Sequence, residues 1–100
     1  MVKLIALYTK PTDHVKFDEH FDKVHIPLVR QVPGLRKLEV TRITGAPIGE
    51  SKYHVMAELY FDTRDAMDRA VGTREGKAVL RDLMSFAATL VTAFHGEITD

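Results

Sequence analysis

The chain has 100 residues, 45% apolar and 28% charged, the make-up of one globular domain spanning residues 1–100. Fourteen Lys and Arg balance fourteen Asp and Glu, so the basic footprint of a nucleic-acid binder or a polybasic membrane-surface protein is missing. No cysteine is present, which removes disulfides, thiolate metal sites and cysteine nucleophiles; no apolar run is long enough for a signal peptide or a membrane span, and the expected location is the cytoplasm.

Val2 to Thr9 is rich in apolar and β-compatible residues and is stopped by Pro11, which predicts a strand with apolar side chains on both faces. Thr12 and Asp13 offer cap oxygens to a helix from His14, whose apolar stripe reads Phe17, Phe21, Val24, Leu28 and Val32 and ends at Pro33-Gly34. Leu35 to Thr44 alternates aliphatic and charged residues as a half-exposed strand would. Gly45 to Glu50 forms a turn, so the strand from Tyr53 to Phe61 should pair with it antiparallel. Asp62 and Thr63 cap a short helix ended by Gly72. Thr73 caps another, with Val79, Leu80, Leu83, Met84 and Ala87 as its buried stripe. Leu90 to Ile98 closes the chain as a fourth strand. The order is βαββαβ, and Leu7-Tyr8 echoes Leu59-Tyr60 at a constant offset, as a ferredoxin-like split βαβ arrangement allows.

Right-handed crossovers place both helical segments on one face of such a four-stranded antiparallel sheet. The other face, with Ile5, Leu7 and Met56, has no internal cover, which predicts a homodimer formed through that face.

Signatures of nucleotide cofactors and serine nucleophiles are missing, and no cofactor is expected. Neither His14 with His25 nor His20 with His25 has the spacing of a helical metal chelate, so no metal is expected either. His25 stands out. It borders the stripe one turn after Phe21, and Pro27 two residues later lacks an N–H and crowds the carbonyl of Lys23, which should loosen the helix. A freed carbonyl could fix the imidazole tautomer, and Asp22 could favour its protonated form. Such an imidazole suits proton transfer near neutral pH; the plain structural reading is a partly buried histidine satisfying a helix end. His54 begins the third strand on its mixed face, beside Met56, Glu58 and Tyr60. Tyr8 and Tyr60 could donate hydrogen bonds to a ligand oxygen or serve as packing residues.

The opening KLIALY strand, Phe17-x-x-His20-Phe21-x-x-x-His25-x-Pro27-Leu28, Pro33-Gly34-Leu35, and Tyr53-His54 through Ala57-Glu58-Leu59-Tyr60-Phe61-Asp62 resemble the EthD family. That resemblance implies a dimeric α+β barrel and a substrate cavity between sheet and helices. It implies a small apolar organic substrate met in catabolism, and a catalytic role for His25. The expected activity is cofactor-independent oxidoreductase or acid–base chemistry of isomerase or cyclase type, with Tyr8, His54 and Tyr60 binding substrate. A non-catalytic ligand-binding or accessory protein is the alternative.

Overall fold

The computed structural model describes residues 1–100. The strand with two apolar faces, β1 (Val2–Thr9), lies inside a four-stranded sheet. It pairs antiparallel with β3 (Tyr53–Phe61) on one side and β4 (Val91–Glu97) on the other, and β2 (Lys37–Arg42) adds to the far edge of β3. The resulting order, β2-β3-β1-β4, is that of a ferredoxin-like α+β fold. The outer strands β2 and β4 are shorter than their β-compatible runs, Leu35 to Thr44 and Leu90 to Ile98.

Asp13 caps α1 (His14–His20), its carboxylate accepting the Lys16 backbone N–H at 3.0 Å. The helix then widens into a π-helical turn over Phe21–His25, closed by the Ile26 N–H on the Phe21 carbonyl, and resumes as α2 (Ile26–Arg30). Pro27 follows directly. The loosening expected from its missing N–H takes the form of this extra residue in the turn. The insertion changes which residues face the sheet. Phe17 and Phe21 are buried as the stripe predicts, but Val24 is 42% exposed, while His25 and Val29 are buried. The even helical period places Val24 inside; the π turn replaces it with His25.

Thr63 caps α3 (Arg64–Gly72), and Thr73 both ends α3, donating its hydroxyl to the Ala70 carbonyl, and caps α4 (Arg74–Phe86). At this corner Gly76 comes so close to α3 that a Cβ on it would sit 2.2 Å from the Ala70 carbonyl oxygen. That approach sets the rotation of α4. Val79, Leu83 and Phe86 turn toward the core and Ala87 is buried within it, whereas Leu80 and Met84, expected in the stripe, are 52% and 49% exposed.

All helices lie on one face of the sheet and enclose a core of Tyr8, Phe17, Phe21, Val55, Phe61 and Met67 among others. The opposite face carries Ile5, Leu7, Met56 and Phe94, with no helix over it; Phe94 is 45% exposed. No helix is long and apolar enough to cross a membrane.

Candidate functional site

On the helix side of the sheet, α1, the π turn and α4 bring three polar side chains together. Asp82 of α4 accepts a hydrogen bond on each carboxylate oxygen: from His20 Nε2–H on Oδ1 and from His25 Nδ1–H on Oδ2, both at 2.9 Å. The π turn makes this possible. In a regular helix two residues five apart point about 140° from each other, whereas i→i+5 bonding stacks them on one side. The expected partners of His25 are therefore corrected. Its tautomer is held by Asp82 and not by a freed carbonyl, and Asp22 is turned outward onto Arg42.

A carboxylate can only accept, so each imidazole gives it an N–H and keeps one nitrogen free: Nε2 of His25 and Nδ1 of His20. The histidine side chains differ in solvation, 4% exposed for His25 and 33% for His20, with Asp82 between them at 13%. Burial pushes His25 below the ordinary histidine value of 6.5; the bond to Asp82 works against that shift and the neighbouring His20 works with it. A neutral imidazole with an Nδ1–H pinned by a carboxylate presents its Nε2 lone pair as a base.

Tyr8 enters from β1. Its ring packs edge-on against Phe17 and Phe21, with centroids 5.5 Å away in each case. Its hydroxyl is fully buried and has no hydrogen-bond partner. Burial first, and the charge of Asp82 second, push the phenol above its ordinary pKa, so it is a donor at every physiological pH. Phe86, at the end of α4, closes the group: its ring centroid is 4.5 Å from that of His20, 5.1 Å from His25 and 5.4 Å from Phe17.

Beyond Phe86 and Phe17 lies a cleft of about 460 Å³, within the range of small-molecule sites. Phe17, Phe86 and Leu90 form its apolar lining; His20, Lys10, Lys16, Ser85 and Thr89 supply polar groups. His20 thus belongs both to the cleft and to the Asp82 pair. No group of three or more His, Asp or Glu side chains is arranged to hold a metal ion.

The remaining singled-out residues lie elsewhere. His54 is expected on the mixed face of β3, but a bulge opposite Tyr8 and Thr9 leaves it without a partner on β1 and turns it to the helix side. There its Nε2–H bonds Asp18 at 2.7 Å and its ring meets the edge of Phe17. Asp18 also takes Arg42, and these two bonds outweigh the upward push of burial to hold its carboxyl below the usual range. Tyr60 sits on the opposite face of the sheet from Tyr8. Its hydroxyl donates to Glu39, and Lys3 and Lys37 lie over its ring. The Leu7-Tyr8 and Leu59-Tyr60 echo therefore does not mark equivalent positions, because the register pairs Tyr60 with Lys3 and Tyr8 with Val55.

Asp82 is absent from the sequence reading and His20 has no role in it. A signal for Asp82 was present: it lies three residues after Val79 and four before Phe86, on the side of α4 that turns inward.

The EthD domain description matches residues 9–89. An EthD family protein from Bacillus halodurans is 50% identical, and its crystal structure matches with a TM-score of 0.97 over 99% of each chain. A relative in Rhodococcus erythropolis, an uncharacterized 11.0 kDa protein of the thcB-thcC intergenic region, is 28% identical over 92 residues, 92% of this chain and 89% of its own. The fold recurs in SnoaB, a cofactor-independent oxygenase from Streptomyces nogalater, at 18% identity and a TM-score of 0.67 over 99% of this chain and 91% of that one. It recurs in a dimeric ferredoxin-like protein from Thermobifida fusca at 17% identity and a TM-score of 0.72, over 97% and 90% of the two chains.

Proposed function

This chain belongs to the EthD family, and from that premise we propose that it is an enzyme that moves a proton on a small, largely apolar organic molecule bound in the cleft. The observation that carries this reading is a buried histidine held by a shared carboxylate and a buried hydroxyl with no partner, on rings that both pack against Phe21.

The substrate lies against Phe17 and Phe86. A turn of the half-buried Phe86 side chain opens a path from the cleft toward the buried Tyr8 and His25, admitting a carbonyl oxygen to Tyr8 and the adjacent acidic carbon to His25. His25 Nε2 takes the proton from carbon, and Asp82 stabilises the imidazolium. The enolate oxygen accepts the hydrogen bond of the Tyr8 hydroxyl, which has lacked a partner until then. His20 shares the same carboxylate, so a charge on one imidazole opposes a charge on the other. Return of the proton to a second carbon gives isomerisation. The enolate is also the electron-rich species that dioxygen attacks, in keeping with the cofactor-independent oxygenase that shares the fold. His54 and Tyr60 do not enter this scheme: one is committed to Asp18 and the other faces away.

A second copy of the chain covers the outer sheet face in this reading. Ile5, Leu7, Met56 and Phe94 are the support, together with the dimeric state of the Thermobifida fusca neighbour.

The test is proton–deuterium exchange at the acidic carbon of 2-tetralone in D₂O, followed by NMR. The wild type should exchange well above the buffer rate, and His25→Gln should fall at least about 100-fold with an unchanged far-UV spectrum. Exchange at the buffer rate while the ketone is bound would instead make the protein a ligand carrier.

A further inference from the structure

The cleft is not electrically neutral. Two lysines, Lys10 and Lys16, line it, and neither pairs with a carboxylate, whereas Lys3, Arg36, Lys37 and Arg42 all do. Asp13, the acidic residue of this lining, directs one oxygen to the Lys16 backbone N–H as the cap of α1. The hydroxyl of Ser85 is turned into its own helix, onto the Asp82 carbonyl at 2.6 Å. The backbone is held on both sides of the cleft, by the Lys10 N–H on Lys52 O and by the Thr9 N–H on Leu90 O, each at 3.0 Å. In a chain of formal net charge zero, an apolar lining of Phe17, Phe86 and Leu90 thus meets two lysines against a single carboxylate, an excess of positive charge.

We propose that the molecule taken by the cleft is a small ring compound bearing an anionic group, a carboxylate or an acidic enol, and that Lys10 and Lys16 read this group. The inference rests on the assignment of the cleft as the substrate site. The apolar body lies on Phe17 and Phe86 and the anion points to the two lysines. An ammonium about 4 Å from an anion in a partly solvated cleft gains more than it does in bulk water and is weakened by salt. Long lysine side chains reach from the wall without rigid geometry, so they select charge more than shape.

The probes are 2-naphthoate and 2-naphthamide, which share a ring system and differ in charge, titrated into the full chain with binding mapped by backbone amide NMR shifts. Naphthoate should bind about tenfold more tightly than the amide at low ionic strength, and the gap should close in 0.5 M salt, an expectation set by two ammonium–carboxylate contacts. Lys10→Met with Lys16→Met should bring the two ligands level while leaving the amide unchanged, and the Arg pair should restore the preference. Both lysines are exposed, so the variants should melt like the wild type. Equal affinities in the wild type, or a preference that survives the Met pair, would overturn the anion assignment while leaving the cleft as the site. Shifts centred on Met56 and Phe94, or no binding of either probe, would overturn the cleft itself.

Discussion

Removing the carboxylate of Asp82 isolates the contact on which the site depends. In Asp82→Ala the His25 N–H is left in an enclosed position without an acceptor, because that side chain is 4% exposed, while His20 at 33% can turn to water. Stranding a buried donor costs about 1–3 kcal/mol, and losing a second, partly solvated bond and some packing adds about 1 kcal/mol, which gives about 2–4 kcal/mol. Asp82→Asn keeps one acceptor and lets one imidazole reverse its tautomer against the amide, so it should cost about half as much. The protein contains no tryptophan, so urea unfolding is best followed by far-UV circular dichroism, at one fixed concentration because subunit association would contribute to apparent stability. Asp68→Ala is the control: its partner Arg64 and the aspartate itself are 57% and 56% exposed, and such a pair contributes under about 1 kcal/mol. The cycle of Asp82→Ala with His25→Phe should show about 1–2 kcal/mol of coupling. If Asp82→Ala costs no more than the control, or if the cycle is additive, the carboxylate does not hold His25 and the proton-transfer scheme loses its base.

Three further outcomes follow from the same geometry. His25 is held below its ordinary pKa of 6.5, so its contribution to stability is complete above that value and is lost as pH falls through the lower, folded one. His25→Phe should flatten the decline between pH 7 and pH 5, which for one proton is at most about 1.4 kcal/mol per pH unit, and identical slopes in the two proteins would contradict the burial argument. Tyr8→Phe removes a buried hydroxyl without a partner, and should stabilise the free protein by about 1 kcal/mol while lowering the exchange rate of 2-tetralone; loss of stability would mean that the hydroxyl is already satisfied. Leu7→Lys with Phe94→Glu, on the uncovered sheet face, should convert a dimer to a monomer in analytical ultracentrifugation and leave the His25 imidazole resonances in place. A wild type that sediments as a monomer at high concentration would remove the need for that interface.

Much of this protein is local physics and is legible without coordinates. The four strands follow from apolar runs bounded by Pro11, Gly45 and Gly49; Asp13, Thr63 and Thr73 all cap helices where their side-chain oxygens predict it. The βαββαβ order followed from the succession of strand and helix patterns, and the handedness of the crossovers put the helices on one face of the sheet. His25 stood out as well, as an imidazole between Phe21 and Pro27, and it is buried with its Nδ1 on Asp82.

Side-chain direction at three irregular points belonged to the tertiary structure. The π turn moved Val24 out and His25 in, the bulge on β3 turned His54 from one face to the other, and the close approach at Gly76 rotated α4 so that Asp82 points inward while Leu80 and Met84 do not. Periodic reading assumes a constant turn or pleat, and one added residue changes the phase of every side chain after it. The pairing of His25 with a carboxylate 57 residues away is of the same kind. Local propensity sets which segments are helical, but where α4 presents Asp82 is decided by how it packs against the rest of the fold.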